Sequence, residues 1–382
     1  MVRLVRAGQR QRAVARRFGV SVSTVAYWVG RAGGQRLDRV DFTDHKRGRA
    51  WNRTDIRVEQ KIIDLRLRLR NGVLGEFGAQ AISEALRTRS SARPSLATIN
   101  RVLARHGVQD GTRRVRRPAP PKGWYLPAVA AGHAEVDCFD FIEGLKIAGG
   151  PVVDVLTAKS LHGAVSDAWI MDGKSTRQTV PLLLRRWKRE GLPGYAQFDN
   201  DTVFQGAHQF RDTVGTISRL CLQLQVVPVF VPPLEHGMQN TIEGFNALWQ
   251  GKVWQRHQVR SVAHLQAVSD EYISAHRARH ASNADSTPDR VPVPAGFRLD
   301  LDAPLTGLMI YIRRTNERGQ VHLLGQTFAV SPSWRHRLVR CEVDFAARAI
   351  RCFALRRSVP AEQPLIVTIP YHRLQKPFKG AL

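Results

Sequence analysis

Apolar residues recur along this chain first in a helical rhythm and then in a strand-like one. Up to about residue 107 they fall at spacings of three and four, as on amphipathic helices. In the run 12–28, Ala15 is small enough for a close helix crossing, Gly19 allows a tight turn and Ser21 caps a second helix. Val20, Val25 and Trp28 would close the core. This is a helix-turn-helix pattern over residues 1–35. It leaves Ser23, Thr24 and Tyr27 on the outer face of the second helix. Further on, Thr54 and Ser95 are N-cap candidates. Ile56, Ile62, Ile63, Leu65, Leu67 and Leu69 accompany an arginine-rich helix, a second helix spans 79–86, and Leu96, Ile99, Val102 and Leu103 mark a third. Together they predict a winged-helix-like unit over residues 54–111.

After residue 133 the pattern changes to short apolar runs bounded by glycine and proline. Strands are expected at 134–142, 151–156 and 163–170 as a meander, then a helix over 175–190 with Val180, Leu183, Leu184 and Trp187 inward. A short strand at 195–198, a helix near 206–219, a strand at 225–231 and helices over 239–249 and 261–280 complete a mixed α/β core over 128–281. A proline-containing linker follows at 282–303. Five short β-like runs at 308–312, 321–324, 327–330, 338–344 and 349–354 then predict a small all-β barrel over 304–360, with a tail over 361–382.

Charge narrows the partner. In 382 residues, Lys and Arg total 58 against 32 Asp and Glu, a formal charge of +26, and the excess is spread over the N-terminal third and the C-terminus. A long polyanion, double-stranded DNA, is the expected partner. The basic linker 36–53 carries Arg47 and Arg49 around a glycine, a pattern suited to a minor groove. The proline-rich linker 112–127 carries Arg113, Arg114, Arg116 and Arg117, suited to binding phosphates. The four cysteines lie far apart and the histidines show no metal spacing with them, which excludes a zinc knuckle. No apolar run is long enough to span a membrane, and charges recur through the N-terminus, so a cytoplasmic, nucleic-acid-associated protein is expected.

Three acidic positions carry the candidate chemistry. Asp137 lies in the first core strand, Asp199 ends the fourth, and Glu243 lies in the helix after the fifth. Converging carboxylates are hard oxygen ligands of the kind that hold divalent ions in phosphodiester chemistry. Asp140 is the rival for the first-strand position. Strand alternation puts it on the other face from Asp137, and the expectation rests on Asp137. Glu235 is a weaker rival for Glu243 because it falls in a loop.

The order of Asp in Glu135-Val-Asp-Cys-Phe-Asp-Phe141, Asp in Gln197-Phe-Asp-Asn-Asp-Thr-Val-Phe204 and Glu in Ile242-Glu-Gly-Phe-Asn246 resembles the catalytic core shared by retroviral integrases and the D,D,E transposases of bacterial insertion sequences. The domain order resembles theirs over nearly the whole chain. The resemblance implies an RNase H-like fold, Mg²⁺ or Mn²⁺ as cofactor, cleavage at an element end and transfer of the 3′-hydroxyl to target DNA. It also implies a homo-oligomer on DNA. Asp137, Asp199 and Glu243 would then be the metal ligands, with Asn200, Asn240 and Asn246 around them. Asp201 stands where the family usually has glycine. The alternative is a non-catalytic DNA-binding regulator derived from a transposase.

Overall fold

The computed structural model describes residues 1–43, 54–87, 94–109, 121–207, 209–232, 235 and 237–373. The chain forms two compact units, Met1–Lys61 and Ile62–Leu382. Among the described residues no helix is long and apolar enough to cross a membrane.

The first unit is built on three short helices, α1 (Val2–Arg6), α2 (Gln11–Phe18) and α3 (Val22–Ala32). Gly19 ends α2 at φ +62°, a left-handed conformation that glycine adopts without steric cost. Ser21 Oγ accepts the Thr24 amide at 3.1 Å and so caps α3. Val14, Ala15 and Val25 form the core, with Val20 and Val29 against it. Trp28 does not close this core. It is half-buried and lies over Phe42, ring centroids 5.9 Å apart, because Val29 takes the inward position on α3.

The division between the units falls within α4 (Ile56–Asn71), which is followed by α5 (Ala79–Arg87) and α6 (Leu96–Arg105). Ile62, Leu65, Ile82, Leu86, Ile99, Val102 and Leu103 are buried, as their helical spacing predicts. Ser95 caps α6 by accepting the Thr98 amide at 3.2 Å.

The rest of the second unit is a sheet with helices on both faces. A single turn, α7 (Pro127–Ala130), precedes β1 (Val136–Lys146), β2 (Val152–Ser160) and β3 (Ser166–Met171). Then come α8 (Thr176–Glu190), β4 (Tyr195–Phe198), the turn α9 (Thr202–Gln205), α10 (Thr216–Gln223), β5 (Val227–Phe230), α11 (Asn240–Trp249) and α12 (Val262–His280). The helix expected near 206–219 begins only at Thr216, as α10, after a non-helical stretch that follows α9. Gly206 (φ +83°) approaches Gly215 so closely that a Cβ on it would lie 2.7 Å from the Gly215 Cα, which forces the chain out of helix there.

Six further strands are β6 (Leu308–Arg314), β7 (Gln320–Leu323), β8 (Gln326–Ala329), β9 (Leu338–Asp344), β10 (Ala349–Ala354) and β11 (Leu365–Pro370). The expected separate barrel is not what they build. β6, β9, β10 and β11 extend the core sheet, whose order is β11-β10-β9-β6-β5-β4-β1-β2-β3, and only β7 and β8 form a hairpin of their own. β6 runs parallel to β5, and its residues are buried on both faces: Met309 and Tyr311 on one, Ile310 and Ile312 on the other. Burial on both sides is the property of a central strand. The Phe230 and Tyr311 rings stack across that junction at 5.2 Å.

β1 to β3 are antiparallel, and β4 and β5 run parallel to β1. α8 and α10 cover one face of the sheet through Val180, Leu183, Trp187, Ile217 and Leu220. α11 and α12 cover the other through Ile242, Phe245, Trp249 and Leu265.

Candidate active site

Pleating divides β1 between these two faces. Phe139 and Phe141 point to the α8 side, Cys138 and Ile142 to the α11 side. Asp137 shares the α8 face with the two phenylalanines, and Asp140 shares the α11 face. The parallel register with β4 sets Asp137 opposite Ala196 and Cys138 opposite Gln197. Continued by two residues, it brings Asp140 level with Asp199. The Phe139 and Phe198 rings, stacked at 5.4 Å, mark the same alignment one residue earlier.

Asp137 therefore does not join Asp199 and Glu243. It is fully buried and accepts from Arg186 Nε at 3.0 Å, Arg290 Nη2 at 2.6 Å, Trp187 Nε1 at 3.2 Å and the Ser160 hydroxyl at 2.9 Å. Burial alone would raise its proton affinity; the Arg186 and Arg290 guanidiniums more than reverse this and hold the carboxyl well below the usual range. Arg186 also reaches Asp167 at 2.6 Å, and Asp167 is bound by Arg189 and Arg277. This network fastens α8 and the segment around Arg290 to β1 and β3.

Asp140 occupies the position expected of Asp137. Its Oδ2 accepts Asn246 Nδ2 at 2.8 Å, while the Thr157 hydroxyl donates to Asn246 Oδ1 at 2.7 Å and also reaches the Asp140 carbonyl. Glu243 stands one helical turn before Asn246 on α11, exposed, and lines with Asp140, Asn246, Gln250 and Gln255 a cleft of about 460 Å³. Burial, and next the charge of Asp199, push the Asp140 carboxyl up to about 7; Glu243 and Glu143 add to this, and the Phe141 amide opposes it. Burial also raises Asp199, with the Asp201 charge adding to the effect and the Asp201 amide and Lys174 opposing it.

Asp201 caps α9 by accepting the Val203 amide at 2.8 Å, and its own amide donates to Asp199 Oδ1 at 2.9 Å. Lys174 Nζ bridges Asp201 at 2.5 Å and Glu143 at 2.9 Å. Asn200 points away from the cleft: its Nδ2 donates to the Val231 carbonyl at 2.6 Å and its Oδ1 accepts from Arg313 at 2.8 Å, tying the end of β4 to β5 and β6. Asn240 is exposed at the first position of α11. Ser23 and Tyr27 are exposed and Thr24 half-buried on α3. Arg47, Arg49, Arg113, Arg114, Arg116 and Arg117 lie outside the described residues.

Among the described residues no three His, Cys, Asp or Glu side chains converge tightly enough to hold a metal ion. The donor set nevertheless suits one. It is all-oxygen, and burial, with the repulsion of Asp199 and Glu243 added to it, raises Asp140 to about 7, a strain that a divalent cation relieves. Thr157 and Lys174 are candidate site residues that the sequence pattern does not single out, and Asp140 enters it only as the rival of Asp137. The available signal is the dipeptide Phe-Asp, present in both β1 (Phe139-Asp140) and at the end of β4 (Phe198-Asp199).

No family model matches the chain. Its structural neighbours are retroviral integrase cores and an intasome. The catalytic core domain of BIV integrase is 15% identical with a TM-score of 0.27, over 38% of this chain and 82% of that one. The HTLV-2 integrase catalytic core domain in complex with magnesium, in its dimeric form, is 10% identical with a TM-score of 0.26, over 41% and 87%. The simian T-cell lymphotropic virus intasome is 12% identical with a TM-score of 0.33, over 78% and 95%.

Proposed function

We propose that this protein is a DNA strand transferase of the transposase and integrase kind, with Asp140, Asp199 and Glu243 as its metal-binding carboxylates. The observation that carries the reading is Asp140: a half-buried carboxyl raised to about 7 by burial and by the charges of Asp199 and Glu243, and gripped by Asn246. A carboxylate strained by burial and by its acidic neighbours, lining an open cleft, is more at home in a cation site than in a structural ion pair. Asp137, in contrast, has its charge fully answered by arginine.

A bound Mg²⁺ or Mn²⁺ would supply charge neutralisation for the phosphodiester and activation of the attacking oxygen. Asn246 keeps Asp140 Oδ2 turned toward Thr157 and α11, and Oδ1, which accepts the Phe141 amide at 2.9 Å, has a second lone pair to offer a ligand. Lys174 withdraws Asp201 from the cleft and moderates Asp199. The exposed residues of α3 and the net charge of +26 support double-stranded DNA as the partner, with Ser23, Thr24 and Tyr27 facing a major groove. Joining two DNA ends requires a homo-oligomer, and the cell compartment is that of the chromosomal DNA, the nucleoid in a bacterium.

The test is strand cleavage and joining, with Mg²⁺, on duplexes that carry the DNA flanking the coding sequence. Cleavage and joining by the parent, lost in both Asp140→Asn and Asp199→Asn, is the expected result. Equal products from parent and variants would end the catalytic assignment. Binding by the parent without cleavage identifies a DNA-binding regulator, and cleavage without joining a nuclease.

A further inference from the structure

A second cleft, of about 400 Å³, opens where β6 and β9 leave the sheet. It is lined by Arg314, Arg337, Arg356 and Arg357 together with His336 and Trp334. The Arg337 and Arg356 guanidiniums lie over the Trp334 ring, 4.8 and 5.1 Å from its centre. Among the described residues neither meets a carboxylate. The one acid among the described residues that line the cleft is Glu235, which follows β5 in the chain. It accepts Arg314 Nε at 2.7 Å and Arg357 Nη2 at 3.4 Å. The Glu235 side chain is only 14% exposed, whereas Arg314 and Arg357 are 50% and 47% exposed. A carboxylate is thus drawn into a forked guanidinium site whose geometry equally suits a phosphate.

We propose that this cleft is a docking site for the DNA backbone, and that a phosphate takes the position now held by the Glu235 carboxylate. The four guanidiniums outnumber the single acid, and the chain as a whole is strongly basic, so charge complementarity selects a polyanion. Glu235 is thus an internal stand-in for that phosphate. The inference rests on the nucleic-acid reading above but not on catalysis.

The experiment is the affinity of a labelled duplex of arbitrary sequence, measured by fluorescence anisotropy without metal at several salt concentrations, on folded proteins checked by thermal melting. Glu235→Gln is expected to bind about two- to fivefold tighter, the worth of a partly exposed ion pair that no longer competes. Glu317→Gln makes the same charge change at an exposed site elsewhere and is expected to bind as the parent does. The pair Arg337→Ala/Arg356→Ala is expected to bind more weakly, with the slope of log affinity against log salt reduced by about one for each phosphate that is no longer neutralised. Glu235→Gln equal to the parent, or matched by Glu317→Gln, overturns the proposal. So does an unchanged affinity and salt slope in the arginine pair. If these cleft variants behave as expected while the parent cleaves no DNA, the cleft stands and the catalytic reading falls; parental cleavage with unaltered cleft variants gives the reverse.

Discussion

Asn246 Nδ2 donates a 2.8 Å hydrogen bond to Asp140 Oδ2, and the amide is held in that orientation by the Thr157 hydroxyl on its own oxygen. Residues far apart in the chain, on β1, β2 and α11, thus fix one carboxylate. Asn246→Ala is expected to lower metal-dependent cleavage about 10- to 100-fold and to raise the metal concentration required, as removal of a ligand-orienting partner does. Cleavage titrated against Mg²⁺ measures both effects. An unchanged rate and metal requirement would leave Asn246 a packing residue only.

The Asp140 carboxyl ionises near 7 in the folded protein, against about 3.9 in an unfolded chain. Between these values the folded state holds the extra proton, so stability falls as pH rises from about 4 to about 7. Asp140→Asn removes this loss. The variant is expected to melt higher than the parent at about pH 8 and close to it at about pH 4, and to show no melting shift with Mg²⁺. In the parent Mg²⁺ raises the melting temperature, and more at the higher pH, where no proton competes. A pH-independent difference between the two proteins would refute the assignment.

Asp137 is expected to matter for folding. Asp137→Asn leaves Arg186, which is fully buried, and Arg290 without their shared counter-charge, at a cost of about 3–5 kcal/mol. Asp199→Asn is expected to keep the parental urea midpoint and lose cleavage. An Asp137→Asn protein of parental stability and no activity would return Asp137 to the catalytic set.

Lys174 neutralises Glu143 and Asp201 beside the cleft and lowers the proton affinity of Asp199. With Lys174→Met the Asp199 carboxyl is held protonated to higher pH, so the acid limb of the cleavage profile is expected to move to higher pH. A pH profile that superimposes on the parent's would show that the ion pairs only brace the loop before α8.

The one-dimensional pattern determined a good deal of this protein. Helix spacing placed α5, α6, α8, α11 and α12 to within a few residues, because an amphipathic stripe can be read without knowing what it packs against. The places of Asp199 and Glu243 in the secondary structure were legible as well, one following a four-residue strand before a polar turn, the other on a helix whose apolar face is unmistakable. Three things were decided only in three dimensions. Alternation along β1 separates Asp137 from Asp140 but does not say which face meets the end of β4; the parallel register does, and it sets Asp140 beside Asp199. The run from Leu308 to Ile312 is as apolar in a barrel as in a central strand, and only pairing with β5 decides that it continues the sheet. Glu235, a loop acid in the sequence, acquires its arginine partners from strands and turns more than 70 residues away. Local pattern follows from backbone geometry and burial, whereas which charges meet depends on strand register and sheet order, which no short window of sequence contains.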